Sequence, residues 1–330
     1  MFYRIITGDK PLSALIIIIL ALLLWIPDFI FPGKNSFLLS ADSMPLYLFC
    51  YNAFEGNSGL SVSIAFLLVL LLGMLLNSIN TKYMLVQQRT FLPALILIIL
   101  AGYMPDTHNL SAPLFSSFFV VFMLDFLMRS YKAEPDSYNF FLAGITLGVG
   151  GLFYAPSIYF IVFIWISTAF LRPFFWREYI FSILGTIIPF LFQLTWMFLR
   201  DENIFIFFES FKKQIFAGFP EFTMQLPYRI YTLYLFILIL LSSIYMIKVF
   251  QFRKIYARKF FQIMFALFIS AIVIFIAFSG FNPGLYYLIS IPVAFLLTNF
   301  FLNSRNNVIN RILLYFSVAG AVLLMVLRLF

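Results

Sequence analysis

Apolar runs with almost no internal charge recur along the chain, separated by short polar or aromatic clusters. Eleven are read, at residues 12–31, 60–76, 91–104, 114–128, 138–153, 156–171, 179–199, 228–247, 261–278, 285–301 and 312–327. None alternates apolar and polar positions as a barrel strand would; residues 15–24 are apolar without a break. The pattern predicts helices that cross a bilayer, each needing about 20 residues. Several runs are shorter, and these are expected to extend into flanking aromatics or to be shielded by neighbours. The first run follows Arg4 and Lys10 without a small-residue cleavage site. It reads as an uncleaved signal anchor that ends at Pro27-Asp28.

Composition strengthens the same reading. Apolar residues make up 63% of the 330, charged ones 10%, and the mean hydropathy is +1.02. Soluble domains run near 45–50% apolar and about 25% charged. The expected fold class is therefore an all-α integral membrane protein of about 11 transmembrane helices. That leaves little chain for a soluble catalytic domain, so any chemistry must lie in the spans and the longer loops. Cys50 and His108 are each the only residue of their type. An intrachain disulfide, a thiolate cluster and a multi-histidine metal site are thereby excluded. The net charge of +8 is attributed to cytoplasmic loops rather than to nucleic-acid binding.

The distribution of basic residues sets the orientation. With the N-terminus inside, 15 of the 21 Lys and Arg fall on the cytoplasmic side; only Lys34, Arg200, Lys212, Lys213, Arg229 and Arg328 fall outside. By the positive-inside rule the chain is expected as a multi-pass protein with its N-terminus in and its C-terminus out. The location that fits is a bacterial inner (cytoplasmic) membrane. Outside, two loops are long, residues 32–59 and 200–227, which suggests a working surface on that face.

Candidate chemistry concentrates in the outer loops. Asp42 sits in the apolar setting Leu38-Leu39-Ser40-Ala41-Asp42-Ser43-Met44, where desolvation would favour a basic carboxylate; helix N-capping explains it equally simply. Asp106 and His108 lie two apart in the next outer loop. They could orient one another or weakly hold a divalent cation, or could belong to a solvated turn. No metal ligand set is specified, and a divalent cation is the one cofactor the sequence leaves open. Asp28, at the outer boundary, needs only an interfacial place. Asp125 precedes Arg129 by four residues, which predicts an ion pair on one helix face. Residues 201–216 read as a Phe-rich interfacial helix, and Arg200, Lys212, Lys213 and Arg229 could gather around a lipid phosphate or simply anchor to anionic lipid. On the inner side, Arg172, Trp176 and Arg177 form a basic aromatic turn, a membrane anchor or a docking surface for an envelope protein partner. No phosphate-binding glycine loop, nucleophile elbow or zinc-protease pattern is present.

The order of these features resembles a known family. An outer loop bearing Asp42 follows the first span, then come the Pro105–Pro113 loop, the glycine-rich stretch Gly144-Ile145-Thr146-Leu147-Gly148-Val149-Gly150-Gly151, and a span ending in Leu171-Arg172-Pro173. This resembles the N-terminal half of the GT-C glycosyltransferases. The stretch Phe153-Tyr154-Ala155-Pro156-Ser157 through Arg172-Pro173-Phe174-Phe175-Trp176-Arg177-Glu178 also resembles an uncharacterised family of bacterial multipass proteins. The GT-C resemblance implies a membrane module at residues 1–173, with further helices at 174–330, and transfer of a sugar from a polyprenyl-phosphate donor on the outer face. It implies Asp42 as general base or metal ligand and Asp106 as a second acid, with His108 assisting. Asp42 is followed by Ser43-Met44 rather than by a second acid, which leaves open a GT-C-like scaffold or envelope-complex subunit without catalysis. Secondary transport would need a broken span, for which only glycines 144–151 offer a place.

Overall fold

The computed structural model describes residues 8, 11–31, 43–54, 57–86, 88–131, 137–172, 175–216, 224–249, 255–277, 285–303 and 307–329. Among these every regular element is helical. In chain order the helices are α1 (Pro11–Ile30), α2 (Pro45–Phe54), α3 (Ser58–Tyr83), α4 (Leu92–Gly102), α5 (Ala112–Arg129), α6 (Tyr138–Phe153), α7 (Phe160–Leu171), α8 (Trp176–Leu199), α9 (Ile204–Ile215), α10 (Leu226–Val249), α11 (Ile255–Ala277), α12 (Tyr286–Asn303) and α13 (Asn307–Leu329). Short 3-10 turns at Pro105–His108 and Ala155–Tyr159 precede α5 and α7.

Eight of the described helices, α1, α3, α5, α8, α10, α11, α12 and α13, are long and apolar enough to cross a membrane. The chain has the character of a multi-pass membrane protein. The other three expected spans are shorter helices, α4, α6 and α7. The 11 residues of α4 rise only about 16 Å, roughly half a bilayer core. All 11 are nonetheless buried, because Leu92-Pro93-Ala94-Leu95-Ile96-Leu97-Ile98-Ile99-Leu100-Ala101-Gly102 is apolar on every face and packs among α1, α3 and α12. The first helix also differs from expectation. It does not stop at Pro27-Asp28 but continues to Ile30 with Pro27 inside it.

The glycine-rich run is a continuous helix, not a break. α6 crosses α8 so closely that a Cβ on Gly144 would lie within 3.0 Å of the Ser182 carbonyl oxygen, and one on Gly185 within 3.0 Å of the Phe141 carbonyl oxygen. Small residues at four-residue spacing let two helix backbones meet where lipid supplies no hydrophobic drive for association.

Polar contacts sort the helix ends into two groups. At one end Lys82 Nζ reaches Asp125 Oδ1 at 2.7 Å, and Arg129 pairs with Asp125 as its spacing predicts. There Arg172 donates to Glu178 at 2.9 Å and to the Ser130 carbonyl at 3.1 Å, while Lys259 donates to the Phe170 carbonyl at 2.6 Å. Two of these cations thus satisfy carbonyls left unpaired at the C-terminal ends of α5 and α7. The opposite end holds Asp28, His108 and Arg328.

Candidate functional site

The Asp28 end is built from loops that the helices bring back to one place. Asp28 lies in the last turn of α1, His108 closes the Pro105–His108 turn, and Arg328 lies in the last turn of α13. His108 Nδ1 contacts Asp28 Oδ2, and its Nε2 stands 3.1 Å from the Gly102 carbonyl oxygen. Arg328 grips the same carboxylate with both terminal nitrogens; Nη1 is 2.6 Å from Oδ2 and Nη2 meets Oδ1. The Trp25 ring stacks on the imidazole with centroids 4.0 Å apart. Asp28 is 4% exposed and His108 1%, whereas the Arg328 side chain keeps 27% of its surface. Burial holds the His108 imidazole below its ordinary pKa, outweighing the opposing pull of Asp28, and Arg328 lowers it further.

The Pro105–His108 turn is fixed at further points. Thr107 Oγ1 donates to the Met104 carbonyl at 2.6 Å, and the Tyr287 hydroxyl of α12 donates to the Thr107 carbonyl. Leu110 accepts a 3.0 Å hydrogen bond from the buried Tyr47 hydroxyl of α2. Replacing Tyr47 by Phe would leave the buried Leu110 carbonyl without that donor and should cost about 1–2 kcal/mol, read as a lower melting temperature of the purified protein.

Beside this turn lies a second apolar cluster. Met44 packs with Leu152, Ala155, Met197 and Phe207, so the start of α2 meets the ends of α6 and α8 and the buried face of α9. Gln214 of α9 accepts from the Ala155 backbone at 3.3 Å. α9 itself is capped by Asn203, whose side chain accepts from the Phe205 amide at 3.0 Å. It turns Phe205, Ile206 and Phe208 outward, the pattern of a helix lying in an interface.

The residues singled out from sequence are distributed as follows. Asp42 lies outside the described residues. Of Asp106 only the backbone is described, within the Pro105–His108 turn. His108 is oriented by a carboxylate, and that carboxylate is Asp28, 80 residues away. Both of its ring nitrogens face protein oxygens, and Nδ1 also stands 3.1 Å from Arg328 Nη1, so both ring nitrogens are engaged by protein groups. Among the described residues no three His, Cys, Asp or Glu side chains group as metal ligands. Three of the cations expected on the outer face have separate local partners: Arg200 with Glu202 at 3.9 Å and stacked over Trp196, Lys213 with Glu209 at 3.0 Å, and Arg229 with the Met224 carbonyl at 3.3 Å. Lys212 is exposed. On the other side Arg172 is drawn into the ion pair with Glu178, while Trp176 and Arg177 are exposed. Sequence reasoning did not reach Arg328 as a partner of Asp28. The signal was present in the topology, which places the end of the first run, the 105–113 loop and the end of the final run on one face.

A cleft of about 300 Å³ opens near the same end, between α4, α10, α11 and α12. Tyr103, Thr232 and Tyr286 line it with Leu235, Ile239 and Val293, and Tyr103 Oη lies 3.3 Å from Thr232 Oγ1. Its lining on α10 runs from Thr232 to Leu240, about 12 Å along that helix.

Comparison with known proteins adds no relative: no family model, no curated protein and no solved structure matches the chain.

Proposed function

We propose that the chain is a GT-C-like membrane protein of the bacterial inner membrane that handles a polyprenyl-phosphate-linked sugar at its outer face. The observation that supports this most is the Tyr47–Leu110 hydrogen bond. It ties α2, five residues after Asp42 in sequence, to Leu110, four residues after Asp106. The apolar cleft would take the first isoprene units of the lipid, with the Tyr103 and Thr232 hydroxyls toward the headgroup. In the transfer step Asp42 would take the proton of an acceptor hydroxyl, the acceptor oxygen would form a bond to the anomeric carbon, and the bond from that carbon to the phosphate would break. Polyprenyl phosphate would leave, its charge met by Arg200, Lys212, Lys213 or Arg229.

A second reading, a non-catalytic subunit of an envelope complex, is favoured by one observation. His108 is tied to Asp28 and Gly102 rather than turned toward a substrate. One experiment separates the two. Asp42→Asn and Asp106→Asn variants are placed in a strain lacking the protein. The enzyme reading expects both to fail to restore the phenotype while accumulating normally in the membrane. Full restoration by both would remove the enzyme and leave the subunit. Native mass spectrometry with added polyprenyl phosphate tests the cleft: Leu235→Trp should abolish the lipid adduct.

A further inference from the structure

His108 sits where a second proton has an acceptor already in place. Nδ1 is in contact with Asp28 Oδ2 and stands 3.1 Å from Arg328 Nη1; the closer carboxylate assigns the first ring proton to it, and Nε2 stands 3.1 Å from the Gly102 carbonyl oxygen. A neutral imidazole has one N–H and leaves this second oxygen facing a lone pair; an imidazolium supplies donors to both. The obstacle is charge. Neutral His108, Asp28 carboxylate and Arg328 guanidinium sum to zero in a buried pocket, and a proton on the ring would make that sum positive.

The pocket regains neutrality if it releases one of its two cations, and these are not equally confined. Imidazole and carboxylate are sealed from solvent, while the Arg328 side chain is 27% exposed on the last turn of α13. Asp28 Oδ2 already serves both His108 Nδ1 and Arg328 Nη1, so the two cations compete for one oxygen. The other elements packed against the turn bring no further charge among the described residues: α1 presents Trp25, α4 the Gly102 carbonyl and α12 the Tyr287 hydroxyl, while the single charge of α3, Lys82, is paired with Asp125 at the opposite end.

We propose that Asp28, His108 and Arg328 form an acid-operated latch in which protonation of His108 makes Asp28 exchange the guanidinium for the imidazolium, releasing the end of α13 from α1. The proton comes from solvent and goes to Nε2, and no covalent bond changes. The sign follows from burial and from Arg328, both of which hold the ring's pKa down in the closed form. The open form, having lost the neighbouring guanidinium, binds the proton more tightly. The latch is therefore at full strength above the ordinary imidazole value of about 6.5, and weakens as pH falls below it. This inference is independent of any sugar or lipid chemistry.

Two measurements on the full chain in lipid nanodiscs test it. Because His108 is the only histidine, ¹⁵N-histidine labelling gives one ring whose protonation is read directly by NMR. In parallel, a Cys50→Ser background carrying Ile30→Cys and Leu327→Cys, two exposed positions at the ends of α1 and α13, takes a nitroxide pair for distance measurement. The expected result is a protonated ring and a longer distance at pH 5, both reversing at pH 7.5, with His108→Gln holding the short distance at both values. Arg328→Gln should show the long distance at pH 7.5 and a ring that titrates at higher pH than in the parent. A ring still neutral at pH 5, or a protonated ring with an unchanged distance, overturns the proposal. So does a His108→Gln protein that lengthens in acid as the parent does. Should His108→Gln not accumulate, the Arg328→Gln titration decides: no upward movement relative to the parent rejects the exchange.

Discussion

Replacing Asp28 by Ala is expected to cost about 3–5 kcal/mol of stability, the scale for breaking a buried ion pair from one side. The carboxylate accepts from both Arg328 nitrogens and from His108, so its removal strips a guanidinium and an imidazole of their common partner at once. Arg328→Ala should cost clearly less. Its side chain is partly exposed, so solvent already screens the pair from that side, and in its absence the imidazole can still serve the carboxylate. Thermal unfolding of the purified variants provides the check. The pair should also be non-additive: the double Ala variant should lose at least about 1 kcal/mol less than the sum of the two single losses. Strict additivity would mean that Asp28 and Arg328 do not hold one another in the folded protein.

Gly144→Val and Gly185→Val should each destabilise the α6–α8 pair by about 3 kcal/mol or more, because the added atoms meet backbone rather than movable side chains. Ser182 O and Phe141 O belong to the facing helices, so neither can yield without moving its whole segment. Gly59, in the first turn of α3, provides the control. A Cβ there meets nothing within 4 Å, and Gly59→Ala should change stability by no more than about 0.5 kcal/mol. Melting curves of all three in one detergent would show the contrast. Equal behaviour of Gly185→Val and Gly59→Ala would refute the close crossing.

What could be read from the chain divides by distance along it. Asp125 and Arg129 are four residues apart on a helix, and their ion pair follows from spacing alone. The long apolar runs likewise became helices, because length and hydropathy are local properties. α4 reads as a span because its hydropathy is high, and it forms an apolar helix of 11 residues, shorter than the eight long enough to cross a membrane. The glycines of α6 read as the one place for a break, and the fold makes them a crossing. The choice lay with Ser182 and Gly185, some 40 positions further on. Most of the candidate site was beyond local reading: Asp28 and Arg328 are 300 residues apart, and nothing in either neighbourhood names the other. Asp106 is the nearer acid to His108 in sequence, whereas the fold brings Asp28 to the imidazole.

The cations at the Lys82 end serve two codes with the same atoms. Arg172 and Lys259 belong to the basic surplus from which an insertion machinery would read sidedness, and they also close the open carbonyl ends of α5 and α7. Moving either cation elsewhere in the chain would also take the donor from a carbonyl at a helix end. The distribution of charge and the closing of these helix ends are therefore coupled at the two positions.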